Sequence, residues 1–349
     1  MATTFKTLLN SDSTTTRTLL HEAIPITGTI VSGTYDESAA ASSNIKNYSH
    51  GMFQSVYDYP YLSSSANQIF DLTVGYSNNS AHSNSANSQN AKKINIYNQM
   101  AQVLAGYDQD GNIREFDQDG NFAAGGTKLR ECVFINFARL LTKDEIKKES
   151  FELKVMTGST PATRTSAEVL TISDYGAINN YRVNSPAGEY GVLYTASAAV
   201  EGTGVGLIYY QAGIVVLTGS VYDGEFGANG AAYDTGSFDA VLTGSEISAS
   251  ADGFRNTLFN TQFNNTTELN SKIYFCRANH SDFNYSSNPT YLSSSKLVVK
   301  ETSTDSPVSY VTTIGLYSAD NELLAVAKLS EPIKKTPDTE VTFRVRLDY

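Results

Sequence analysis

Tryptophan is absent from this chain, cysteine occurs twice in 349 residues, and only 17% of the residues are charged. Cys132 and Cys276 lie far apart with no CxxC spacing, which excludes a disulfide framework of the small secreted kind, since such scaffolds need several closely spaced pairs. Cys132 sits in an apolar run and Cys276 follows Tyr274-Phe275, so both are expected as buried small hydrophobes. No apolar run approaches the roughly eighteen residues of a membrane span, and Met-Ala-Thr-Thr-Phe-Lys lacks a signal core. A soluble protein made in a cytoplasm, with no membrane insertion, is therefore expected. Clustered basic charge is missing as well. The net charge is −11, and the densest basic run, Lys143 to Lys148, is interleaved with Asp144, Glu145 and Glu149. Nucleic-acid binding needs Lys and Arg gathered to face phosphates, so no nucleic-acid partner is expected.

Local motifs for chemistry are also scarce. His21, His50, His82 and His280 are isolated, without the HxH or HxxxH spacing of a zinc site. No serine occupies a G-x-S-x-G elbow, and neither cysteine has a histidine near it in sequence. Gly202-Thr-Gly204-Val-Gly206 resembles a dinucleotide fingerprint only in its glycines, because Leu207-Ile-Tyr-Tyr reads as a strand where the phosphate site needs a helix. Asp108-Gln-Asp110-Gly111-Asn112 and Asp117-Gln-Asp119-Gly120-Asn121 have the oxygen-rich look of calcium loops. Each is too short to supply six or more ligands, and the nine-residue repeat around Ile113-Arg-Glu-Phe116 suits a strand between two turns. Hairpin turns are the preferred reading and calcium the alternative. No catalytic, cofactor-binding or metal-binding residue is assigned, and a non-enzyme without cofactor is expected.

What is present is aromatic and turn-forming: 22 Tyr, 16 Phe and 25 Gly, with abundant Ser, Thr and Asn. Such a profile suits strands joined by many turns, and also large contact surfaces. The fold expected is α+β and β-rich, with antiparallel, sandwich-like sheets, a few short helices and long loops. Residues 1–35 read as a short helix or extended arm followed by a strand. Ser77 to Asn90 reads as a long Ser/Asn-rich loop, either mobile or ordered by a neighbouring subunit. Ile94, Tyr97, Met100, Ala101 and Leu104 recur at helical spacing over Lys93 to Ala105. Leu129, Val133, Phe137, Leu140 and Leu141 suggest a second helix, with a strand through Cys132 to Ile135 as the competing reading. Thr142-Lys-Asp-Glu145 has the pattern of a capping box, Phe151 to Val155 alternates as a strand, and Val205 to Tyr222 reads as a buried hairpin broken at Gln211-Ala212-Gly213. Gly219 to Phe238 is a Gly/Asp-rich loop, Phe254 to Phe263 a helix, and Lys272 to Cys276 a strand. Tyr61-Leu-Ser-Ser-Ser65 returns at Tyr291 to Ser295, five common residues read as chance. Composition shifts suggest an N-terminal region at 1–125, a central β-rich domain at 126–300 and a C-terminal β-module at 301–349 packed on it.

The last forty residues are the most regular. Val311-Thr-Thr-Ile-Gly-Leu-Tyr317 and Leu323-Leu-Ala-Val-Ala-Lys-Leu329, joined by an Asp-Asn turn, read as a hairpin. Val341, Phe343, Val345, Leu347 and Tyr349 then alternate with polar residues, as in a half-buried strand. Ile314-Gly315-Leu316-Tyr317 and Leu323-Leu324-Ala325-Val326-Ala327 resemble a signature of bacteriophage tail and baseplate proteins, including the attachment ends of tail fibres. Tyr209 to Leu217, Asn284 to Tyr291 and, less closely, Asn47 to Phe53 resemble segments of virion structural proteins of T4-like marine myophages. The resemblance implies a virion structural protein of a contractile tail, assembled in the host cytoplasm. Its partners would be other tail or baseplate proteins and its own copies, as a dimer or trimer. A receptor- or glycan-binding tail adhesin is the alternative, and a tail-associated hydrolase the remote third.

Overall fold

The computed structural model describes residues 5–27, 43–122, 125–156, 169–195, 198–222, 238–284, 292–293, 296–297, 304 and 308–349. In chain order the strands are β1 (Ser13–Thr27), β2 (Ile45–Asn47), β3 (Gln54–Tyr57), β4 (Gln68–Tyr76), β5 (Phe116–Asp117), β6 (Lys128–Leu129), β7 (Glu131–Phe137), β8 (Glu145–Ile146), β9 (Glu152–Met156), β10 (Val169–Ser173), β11 (Tyr190–Leu193), β12 (Gly206–Tyr209), β13 (Ile214–Thr218), β14 (Leu258–Ala278), β15 (Leu292–Ser293), β16 (Lys296–Leu297), β17 (Ser309–Tyr317), β18 (Leu323–Lys335) and β19 (Val341–Asp348). The helices are α1 (Asn90–Leu104), α2 (Arg139–Thr142), α3 (Ala177–Asn180), α4 (Phe238–Gly244) and α5 (Ile247–Thr257). The α+β, β-rich class with antiparallel sheets and few short helices is the one adopted.

Contacts divide the chain into two units, Leu20–Thr267 and Met1–Leu19 with Glu268–Tyr349. The larger is built on a seven-stranded sheet in the order β11-β12-β13-β7-β4-β3-β2, antiparallel throughout. Its central strands are buried on both faces, which is why Cys132 to Ile135 and Val215 to Leu217 read as continuous apolar runs. Phe137 on β7 meets Phe70 on β4 and, edge to face, Phe151 beside β9 and Phe263 on β14. Each such side chain, fully buried, stabilises by about 1.5–3 kcal/mol. Helix α1 lies across β4 and buries Ile96, Tyr97, Ala101 and Leu104. It comes so close because position 75 is glycine: a Cβ there would stand 2.7 Å from the carbonyl oxygen of Lys93 and 2.9 Å from the amide of Tyr97.

In the smaller unit, β19 pairs with the C-terminal half of β14, from Ser271 opposite Asp348 to Ala278 opposite Val341. Val345 is buried while Thr342, Arg344 and Arg346 face outward, the alternation expected from the sequence. Asn270 and Tyr349 exchange both backbone hydrogen bonds, which ties down the strand's end. β17 and β18 form a sheet of two strands, and among the described residues neither pairs with any other strand.

Three expectations are overturned. The helix suggested by Leu129, Val133, Phe137, Leu140 and Leu141 is helical only at Arg139–Thr142; Leu129 ends β6 and β7 runs from Glu131 to Phe137, so the competing strand reading holds. Leu129, Val133 and Phe137 recur every four residues, a spacing that places side chains on one face of a strand as well as of a helix. Thr142 does not cap a helix N-terminus but ends α2, after which Lys143 at φ +55° turns the chain into β8. The expected helix over Phe254 to Phe263 stops at Thr257, and Leu258 begins β14.

Candidate functional site

The two Asp-Gly loops are turns held by their own hydrogen bonds. The Asp108 carboxylate accepts the backbone N–H groups of Asp110 (2.9 Å) and Asn112 (2.8 Å), and Tyr107 pairs with Ile113 across the turn. Those donors stabilise the charged form and hold the Asp108 carboxyl below its usual range. Asp117 is buried on β5, where it accepts the amide of Asp119 (2.9 Å) and forms an ion pair with Lys128. Asp119 reaches elsewhere, accepting the N–H of Gly202 at 2.8 Å. The acidic oxygens are thus engaged separately rather than turned toward one centre.

The Gly202–Gly206 segment leads into β12, and its glycines answer to packing. A Cβ on Gly204 would collide with the carbonyl of Gln118, and one on Gly206 with the carbonyl of Val216 on the paired strand. The histidines are spread out. His21 Nδ1 lies 3.2 Å from the hydroxyl of Thr266, His50 accepts the N–H of Met52 (3.1 Å), His82 faces Asp239 (3.1 Å) and His280 faces Glu340 (3.4 Å). Among the described residues no three His, Cys, Asp or Glu side chains converge as metal ligands. Cys132 is fully buried and Cys276 partly so, and burial pushes both thiols up.

Two strongly perturbed groups, Asp174 and Lys93, are internal ties that no sequence pattern announces. Asp174, buried after β10, accepts the amides of Glu149 (2.7 Å) and Phe151 (3.1 Å) and the hydroxyl of Tyr210 (3.0 Å). Burial outweighs these donors and raises its carboxyl to about 6. Lys93, wholly buried on α1, donates to the carbonyls of Ser88 (2.9 Å), Leu242 (2.6 Å) and Ser245 (2.7 Å). Two of those oxygens belong to the last turn of α4 and the residue after it, so the ammonium acts as that helix's C-terminal cap.

The Ser/Asn-rich stretch 77–90 is ordered, and by its own chain. Ser77 donates to Glu115 and Ser80 to Glu131, Ser88 N–H reaches Thr243 O at 3.0 Å, and Tyr76 donates to Asn90 at 2.7 Å. Of the Gly/Asp-rich loop at 219–238, residues 223–237 lie outside the described residues.

Two surfaces remain as candidates for contact. One is the β17–β18 hairpin, whose Tyr310 (64%), Leu323 (53%), Leu324 (69%) and Val326 (50%) are exposed and in which Lys335 alone is buried. The other is a stack of side chains beginning on the short edge strand β2. Lys46 Nζ sits 4.7 Å over the ring of Tyr48, Tyr48 stacks on His50 at 5.1 Å, and Phe53 closes on both. Each surface offers contact area. No protein-family model matches the chain, and neither does any curated protein or solved structure.

Proposed function

We propose that the chain is a structural component of a contractile phage tail, in the baseplate or tail-fibre attachment region, and that it works by packing against other proteins. The observation that carries this reading is the β17–β18 hairpin: it displays Tyr310, Leu323, Leu324 and Val326 to solvent in the segment whose sequence resembles tail and baseplate proteins. Leu323, Leu324 and Val326 gather at the turn end of the hairpin, and exposed apolar side chains grouped in this way favour a contact site. Its partners are tail or baseplate proteins and further copies of itself, in a particle assembled in the host cytoplasm. The net charge of −11 makes nucleic acid a poor partner. Cryo-EM of intact, extended particles tests the reading. The expected result is density for the β17–β18 hairpin enclosed among tail proteins. A hairpin free in solvent at a distal tip, or absence of the protein from the particle, overturns it.

A second reading, a glycan-binding adhesin, has the Lys46–Tyr48–His50–Phe53 stack in its favour, since aromatic surface flanked by polar side chains suits sugars. It predicts that Tyr48→Ala abolishes chemical-shift changes produced by host surface glycans. Glycan titrations that leave the wild-type spectrum unchanged would remove it.

A further inference from the structure

A two-stranded hairpin is marginal in water, and three or more strands are needed for independent stability. β17 and β18 nevertheless stand as a sheet of two, and their outer edges are unlike. β18 carries Lys328, Glu331, Pro332 and Lys334. Its register also slips between Lys328 and Ile333, opposite Thr313 and Val311, so Leu329 to Pro332 bulge from the ladder. Charge, proline and bulges are how proteins block strand addition. β17, Ser-Tyr-Val-Thr-Thr-Ile-Gly-Leu-Tyr, has neither charge nor proline, and it skips a single residue, Thr312, opposite the bulge of β18. Among the described residues it is the longest edge strand without charge or proline. The other long edges carry guards: Arg17, Glu22 and Pro25 on β1, and Arg344, Arg346 and Asp348 on β19.

We infer that the outer edge of β17 is a pairing site for β17 of a second copy, in antiparallel register about a two-fold axis. An uncharged strand can lie against itself in any register without bringing like charges face to face. The product is a four-stranded sheet in which β17 lies inside and β18 forms both outer edges. Those edges are guarded, so association closes at two instead of growing into a fibre. The inference deepens the self-association in the proposed function but rests on the hairpin alone, and particle cryo-EM and solution sedimentation test the two separately.

Thr313 is the fifth of the nine residues of β17 and is exposed, which makes it the position nearest the axis. Sedimentation of the full chain is expected to give a dimer across micromolar concentrations. Thr313→Lys and Thr313→Glu are each expected to raise the dimer dissociation constant about tenfold or more, because like charges then meet across the axis, and an equimolar mixture of the two should restore dimers. Glu331→Gln, on the guarded edge, should leave the dimer unchanged. A monomeric wild type, a trimer or open series, or a Thr313→Lys dimer of undiminished affinity would overturn the inference. Amide hydrogen exchange of the wild type gives a check that needs no variant. β17 amides should gain protection as concentration rises while β18 amides do not, and equal behaviour of the two strands would count against it.

Discussion

Replacing Lys93 by Met is expected to lower the stability of the chain by about 3–5 kcal/mol, read as a shift in the urea midpoint at pH 7. The Met side chain has a similar length and fills the space, but it leaves the carbonyls of Ser88, Leu242 and Ser245 without the donor that serves all three. Each buried acceptor so abandoned costs about 1–3 kcal/mol. Arg is no substitute, because a planar fork cannot aim three donors from one nitrogen. The pH dependence distinguishes this account from simple loss of packing. Burial lowers the Lys93 pKa from its ordinary 10.5 to about 8. Between those values the unfolded chain binds more protons than the folded one, so wild-type stability rises with pH across that window. The Met variant lacks this contribution, and the gap between the two proteins should widen from pH 8 toward 10.5. A variant as stable as the wild type would show that Lys93 is not the tie proposed, and a gap that is constant with pH would show that burial does not depress its pKa.

Gly206→Ala is the second large effect, expected to cost about 3 kcal/mol or more by thermal or urea denaturation. The added Cβ runs into the carbonyl oxygen of Val216 and lies 3.1 Å from Leu217 Cδ2 and 3.2 Å from Leu217 Cα. β12 and β13 pair at this point, Gly206 opposite Leu217, in the most buried part of the larger sheet. Overpacking in a core commonly costs about 1–3 kcal/mol, and here the obstruction is backbone that cannot rotate aside. Gly202→Ala is the control for position: nothing lies within 4 Å of a Cβ there, but its φ of +79° makes alanine strained, so a smaller loss is expected. Equal losses at 202 and 206 would argue that backbone conformation, and not packing, dictates glycine in this segment.

The sequence was most readable where one face of an element is solvated. Val341 to Leu347 alternates because β19 has an inner and an outer face, and the hairpins at 206–218 and 309–335 are bracketed by turn residues. It misled at 129–137, because a strand buried on both faces loses its period of two and a four-residue spacing satisfies helix and strand alike. It was silent about Lys93 and Asp174, since a lysine beginning a helix and an aspartate ending a strand look like surface residues. Their burial depends on carbonyls and amides supplied by chain far away, from Ser245 to Lys93 and from Phe151 to Asp174. The contact surfaces were half visible. The apolar residues of β17 and β18 could be read off, but not that Tyr310, Leu323, Leu324 and Val326 stay exposed in the fold.

The place of β1 sets a timetable for synthesis. Its neighbour in the sheet is β14, and 245 positions separate His21 from Thr266, whose side chains meet. At about 5–20 residues per second, β1 leaves the ribosome about 12–50 s before its partner exists. During that interval its fifteen residues have not yet met the strand they pair with in the fold. Arg17, Glu22 and Pro25 then do their work before folding is finished, keeping a waiting strand from pairing with nascent neighbours on the same message. Completion of this sheet is consequently a late event, however early the hairpin at 206–218 closes.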